Sequence, residues 1–192
     1  MTLQNCRKAW LSWILAKPTG TRVTFMAVWE LAQINIGKMK GVKGDPQVQP
    51  FFDALDAVNA LAEASDGFVW RLQTEAGDAT DILPTVDPTL LINMSVWRDP
   101  EALFNYVYKS GHTPVMAKRR QWFERFDGSH QALWWVPSGH RPTVEEGLSK
   151  IWHLDRFGPT AMAFTFKQRF PQPGETGDPV DMKPDPWCMG NA

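Results

Sequence analysis

Residues 27–36, AVWELAQINI, alternate apolar and polar side chains and stop at Gly37, which predicts a strand with one face buried. The loop GKMKGVKGDP follows, and Asp45-Pro46 marks a helix start that Pro50 delays. Phe51, Leu55, Val58 and Ala62 then recur at helical spacing, with Phe52 widening the stripe, until SDG (65–67) ends the helix. FVWRLQTE (68–75) predicts a second strand. After the turn-rich AGDATDILPTVDPT, LLINMSVW (90–97) predicts a third.

Asp99-Pro100-Glu101 opens a helix with an acidic first turn, running to about Ser110. A further helical segment is expected from Pro114 to about Phe126, and ALWWVP (132–137) predicts a fourth strand. TVEE (143–146) has the form of a capping box, Thr143 capping and Glu146 reaching back, before a helix to about Phe157. AMAFTF (161–166) predicts a last strand. The fold class is therefore α+β: a ferredoxin-like β-α-β-β-α-β sheet with helices on one face, plus a C-terminal helix and strand.

That plan leaves one sheet face to be covered. In the third strand Ile92, Met94 and Val96 alternate with Asn93, Ser95 and Trp97; in the second, Phe68, Trp70 and Leu72 alternate with Val69, Arg71 and Gln73. The apolar set suits the connecting helices. The mixed set suits a sheet-to-sheet subunit contact or a semi-polar cavity, and a homodimer is expected.

Composition narrows the class of partner. With 20 basic against 21 acidic residues, the chain has no charge signature for nucleic acid or a membrane surface. The basic run AKRRQWFER reads as a solvated helix face. No apolar run reaches the ~18 residues of a membrane helix. Cys6 and Cys188 lie at opposite ends of the chain and read as free thiols of a reducing, cytoplasmic setting. Residues 1–25 read as a poorly ordered extension, 26–170 as the folded domain and 171–192 as a Pro/Gly-rich tail. Ten tryptophans against two tyrosines give the domain unusually aromatic walls.

The segments ELAQINIGKMKG, LDAVNALAEASDGFVWRLQ, LINMSVWRDPEALFNYVYKSGHTPVMAKRRQWF and LWWVPSGHRPTVEEGLSKIWHL carry a resemblance spanning about residues 27–170. They resemble an uncharacterised, largely bacterial family of the dimeric α/β-barrel superfamily, which also contains the antibiotic-biosynthesis monooxygenases. The resemblance implies a monomer whose sheet pairs with a second copy to close a barrel. Relatives across that superfamily include cofactor-free oxygenases, haem-degrading enzymes, small isomerases and proteins with no known reaction, so the fold does not choose a chemistry.

The residues themselves offer a candidate site. In SGHTP, Gly111 suits a helix end and Thr113-Pro114 a helix start, so His112 falls beside a positive helix dipole and is expected to be neutral. It can serve as general base or polar anchor, or as a turn residue bonded to backbone. Asn59 shares the inward helix face and is the second catalytic candidate. Arg71 and Asn93 on the mixed strand face either orient a ligand's carboxylate or oxyanion or hold the dimer together. Trp70, Trp122 and Trp134 (with Trp135) either wall a flat ligand, completing the ligand-binding set, or belong to the core. His140 and His153 read as surface or packing residues, and His130 as a turn residue.

No metal-ligand spacing, nucleophile elbow or phosphate-cradling loop appears, and no cofactor is expected. The leading reading is a small-molecule-binding protein, a cofactor-independent monooxygenase or isomerase acting on a flat aromatic or enolisable compound. A non-catalytic ligand-binding or assembly protein and a haem-binding or haem-degrading protein, with His112 as axial ligand, stay open beside it.

Overall fold

The computed structural model describes residues 28–74, 77, 79, 87–110 and 118–181. His112, residues 114–117 of the expected 114–126 helix, the 1–25 extension, both cysteines and the tail beyond 181 lie outside the described residues; the described part of that helix is helical only over 119–122. The elements are β1 (Trp29–Lys38), α1 (Gln49–Glu63), β2 (Phe68–Arg71), β3 (Leu90–Trp97), α2 (Pro100–Lys109), the single turn α3 (Arg119–Trp122), β4 (Gln131–Pro137), α4 (Val144–Phe157), β5 (Gln168–Arg169) and β6 (Val180–Asp181).

The first four strands form one antiparallel sheet in the order β2-β3-β1-β4, the ferredoxin-like arrangement. β1 lies in the interior, with Gln33 opposite Ser95 on one side and Leu133 on the other. Asn35 is likewise flanked by Asn93 and Gln131. The expected strand over 161–166 forms only isolated bridges, Leu133 to Phe164 and Thr160 to Ala163. Regular pairing comes later, where β5 meets β6 from within the tail.

Two faces follow from the alternation. Ala32, Ile34, Ile36, Ile92, Met94, Val96, Trp134 and Val136 form one buried cluster with Ile151 and Leu154 of α4. The apolar set therefore packs on the C-terminal helix, not on the connecting helices as the sequence pattern suggests. Leu31, Trp97 and Leu133 on the other face pack with Ala62 of α1 and Ala102 and Leu103 of α2. Connecting helices lie on one face, and the chain's own α4 covers the other. Among the described residues no helix is long and apolar enough to cross a membrane.

α4 sits close on the sheet because Gly147 has no side chain: a Cβ there would stand 2.6 Å from Ile34 Cδ1 and 3.0 Å from Met94 Sδ. Thr143 caps this helix by accepting from the Glu146 N–H at 3.2 Å. The Glu146 carboxylate does not reach back. It accepts from Trp134 Nε1 at 2.8 Å and meets His140 Nε2 at 2.7 Å, tying helix, strand and loop together. β2 carries an irregularity between Phe68 and Trp70, which pair with Trp97 and Val96. A bulge moves the following side chain to the opposite face. Phe68 accordingly packs with Trp97, whereas Trp70 joins the α4 side.

Candidate ligand cavity

Between the mixed sheet face and the helices α1 and α2 lies a cavity of about 210 Å³. Its floor is polar: Gln33 and Asn35 from β1, Asn93 and Ser95 from β3, and Gln131 from β4. Its walls are apolar, with Phe51, Leu55 and Val58 from α1, Tyr106 and Val107 from α2, and Phe123 beyond α3. Gln33 and Ser95 are the two polar side chains buried among the described residues, each 7% exposed. Polar groups buried this deeply need hydrogen-bond partners. Gln33 Nε2 donates to Asn93 Oδ1 and to Ser95 Oγ, both at 3.1 Å, and Trp97 Nε1 donates to Ser95 Oγ at 2.8 Å. The Trp97 ring stacks on Tyr106 at 5.0 Å. Burial pushes the Tyr106 phenol up, against the opposing charge of Arg71, so it stays protonated at neutral pH.

One end of the cavity is built by residues 119–131. The strand-like turn after α3 docks on the end of β1, where Lys40 N–H donates to the Trp122 carbonyl and Glu124 N–H to that of Lys38. Gly37 admits the Phe123 ring, since a Cβ there would meet it at 2.8 Å. This contact carries Arg119 and Trp122 to the cavity. His130 is fixed just before β4, its carbonyl accepting from Ile36 N–H at 2.8 Å. Gly128, at φ +98°, adopts the left-handed backbone of the loop before it, and Ser129 N–H is held by Asp155.

His130 Nε2 lies 3.4 Å from Arg119 Nη1, while the ring also bonds the Gly128 backbone. A guanidinium only donates, and a carbonyl only accepts, so the tautomer carries its proton toward Gly128 and a lone pair at Nε2. Burial and the Arg119 charge hold the imidazole below its ordinary value, with the Gly128 bond opposing. The result is a neutral histidine with a basic nitrogen beside a cation.

Of the residues expected from the sequence, Asn59, Arg71, Asn93 and Trp122 line this cavity. Arg71 also pairs with Glu63 at 2.7 Å, which ties β2 to the end of α1. Trp122 packs against Phe51 with ring centroids 5.7 Å apart. Trp70 and Trp134 are on the opposite side of the sheet, within the cluster under α4. The bulge in β2 turns Trp70 away, and Trp134 belongs to the even-numbered face of β4. His112 lies outside the described residues. Gln33, Ser95, Arg119 and His130 line the cavity without having been singled out as ligand groups. The signal for Gln33 was present: with Asn35 it is one of two amides alternating with apolar residues in Leu31–Ile36, the interior of a strand. His140 meets Glu146 outside the cavity, and His153 Nε2 meets Thr160 Oγ1 at 2.8 Å. Among the described residues no three His, Cys, Asp or Glu side chains gather in a way that could hold a metal ion.

Comparison with known proteins adds the following. No curated protein matches the chain. Among solved structures, the cofactor-independent oxygenase SnoaB from Streptomyces nogalater aligns at 17% identity over 60% of this chain and 96% of its own, with a TM-score of 0.36. A protein of unknown function from Nitrosomonas europaea aligns at 14% identity over 61% and 96%, with a TM-score of 0.39. A putative antibiotic biosynthesis monooxygenase from Chloroflexus aurantiacus aligns at 13% over 60% and 98%, with a TM-score of 0.37. The family described as domain of unknown function DUF3291 matches residues 30–178, spanning the whole sheet and the cavity it floors. The chain belongs to the DUF3291 family.

Proposed function

We propose that the cavity binds a flat aromatic or enolisable small molecule and that His130 takes a proton from it, as a cofactor-independent monooxygenase or an isomerase requires. The observation that carries this reading is the neutral His130, its Nε2 turned to Arg119 at the edge of a polar floor. A neutral imidazole accepts the proton at Nε2 once the Arg119 N–H that this lone pair accepts turns to the ligand, where the guanidinium stabilises the anion left behind. His112 remains the second candidate base on the grounds of its sequence context.

The size of the cavity supports a small ligand. An apolar cavity of roughly 150 Å³ holds a benzene ring, and drug-sized ligands fill about 300–1,000 Å³. At about 210 Å³ the space suits one or two fused rings and is small for a haem. The assembly alternative needs the polar groups of the floor spent on a packed contact, whereas Asn35, Asn93 and Gln131 line the cavity. A homodimer stays part of the proposal. With both sheet faces covered by helices, the supporting feature is the exposed pair Trp152 and Phe157 on the outer side of α4, their rings 6.0 Å apart. Analytical ultracentrifugation of wild type and Trp152→Lys tests it.

The function is tested by a thermal-shift screen of wild type, His130→Ala and His112→Ala against quinones, hydroxylated aromatics, small enols and haemin. A ligand of the native state raises the midpoint by mass action. The expected result is stabilisation of wild type by a hydroxylated aromatic or enol and a smaller shift in His130→Ala. Stabilisation by haemin alone, or by no compound, overturns the reading.

A further inference from the structure

We infer that the floor of the cavity is a donor site for one ligand oxygen, with Ser95 and Asn93 as its hydrogen-bond donors; the inference rests on the small-molecule reading above. It assigns the ligand class as a flat, conjugated hydroxy-carbonyl compound, with the carbonyl oxygen over β3 and the hydroxyl toward His130.

The argument is one of hydrogen-bond polarity. An indole N–H only donates, so the bond from Trp97 Nε1 to Ser95 Oγ at 2.8 Å has a fixed direction. Gln33 Nε2 donates to the same oxygen at 3.1 Å. A hydroxyl has two lone pairs and one proton. With both lone pairs occupied, the Ser95 proton is left to point into the cavity that Ser95 lines. The second Gln33 N–H goes to Asn93 Oδ1 at 3.1 Å, so the Asn93 amide group offers its own N–H bonds to the open side. The ladder thus accepts within itself and donates outward. A ligand that displaces water from this floor must bring an acceptor to the buried Ser95 hydroxyl, because a buried donor without a partner is costly.

The other end of the ligand is set by β1. Gln33 faces Ser95, and Ile36, three residues on, bonds the His130 carbonyl. Three residues of strand span roughly 10 Å, the length of a two-ring molecule with oxygen substituents at its ends. When the hydroxyl O–H bond breaks and the proton passes to His130 Nε2, the electron pair stays on oxygen. Conjugation then spreads that charge to the carbonyl oxygen, where the two donors bind it more tightly than before.

The test is calorimetric titration with 6-hydroxy-2-naphthaldehyde and with 2-naphthol, which lacks the carbonyl oxygen. Wild type is expected to prefer the aldehyde by about tenfold or more, as a hydrogen bond to a charged oxygen provides. Ser95→Ala should reduce that ratio severalfold, leaving the share that Asn93 supplies. Asn93 is exposed, so Asn93→Asp is tolerated by the fold; it replaces donor by acceptor and should reverse the preference. If wild type binds both compounds equally, the donor site is wrong and the cavity reading stands. If Ser95→Ala and Asn93→Asp keep the wild-type ratio, the Gln33 amide is turned over, Ser95 donates to it, and the inference fails. If neither compound binds wild type, the cavity reading falls and takes this inference with it.

Discussion

His130 Nε2 lies 3.4 Å from Arg119 Nη1, so the cavity holds a histidine whose protonation is opposed by a neighbouring cation. The guanidinium is not the largest cause; burial is, and Arg119 adds to it. Removing the charge therefore restores part of the ordinary basicity. In Arg119→Ala the imidazole should titrate at higher pH than in wild type. Two-dimensional NMR of the ring protons against pH checks this, and an unchanged His130 titration would refute the assignment.

The same depression fixes a sign for acid stability. The folded state binds the His130 proton less readily than the unfolded chain, so the unfolded chain carries more protons once pH falls below about 6.5. Stability is thus complete above that pH and declines as pH falls from it toward the lowered folded value. Melting midpoints of wild type should fall between pH 7 and pH 5, and His130→Gln should flatten that segment of the profile.

Gly147 lets α4 lie against the sheet. A Gly147→Val side chain would collide with Ile34 and Met94, both fully packed, so the helix must lift or the cluster must shift. Overpacking of this kind costs about 1–3 kcal/mol. Urea denaturation should show a lower midpoint, and an unchanged one would mean that α4 is free to move.

Glu146 accepts from the indole of Trp134, a side chain 2% exposed. In Glu146→Ala that N–H loses its acceptor under α4, at a cost of about 1–3 kcal/mol. Glu146→Gln keeps an acceptor oxygen and should recover most of the loss. Equal destabilisation in the two variants would point instead to the negative charge that both lose, in the first turn of α4 and beside His140.

The fold was largely legible because its strands and helices carry clean periodicities. Phe51, Leu55, Val58 and Ala62 mark the inner stripe of α1, and Asp99 caps α2 by accepting from Ala102 N–H at 2.8 Å. Three features were not. The bulge in β2 separates Phe68 from Trp70 through pairing with β3, which strict alternation along one strand does not reveal. The apolar face went to α4 because a third amphipathic helix competes for it, and local pattern does not rank the competitors. His130 gains its character from burial and from Arg119, eleven residues back along the chain, and a turn histidine shows neither in its own neighbourhood of sequence. Asn59, Asn93 and Arg71 were recoverable as cavity residues because helix and strand periodicity place them on inward faces, and Trp122 through its aromatic side chain alone.

α4 has a consequence for how the chain behaves when dilute. A sheet with an uncovered greasy side must borrow a neighbour to stay folded, and its melting then depends on how crowded the solution is. Here the last long helix serves as that neighbour from within the same chain. The core of one chain is therefore complete without a second copy, so any rise of the melting midpoint with concentration would report association through an outer surface and not the closing of the core.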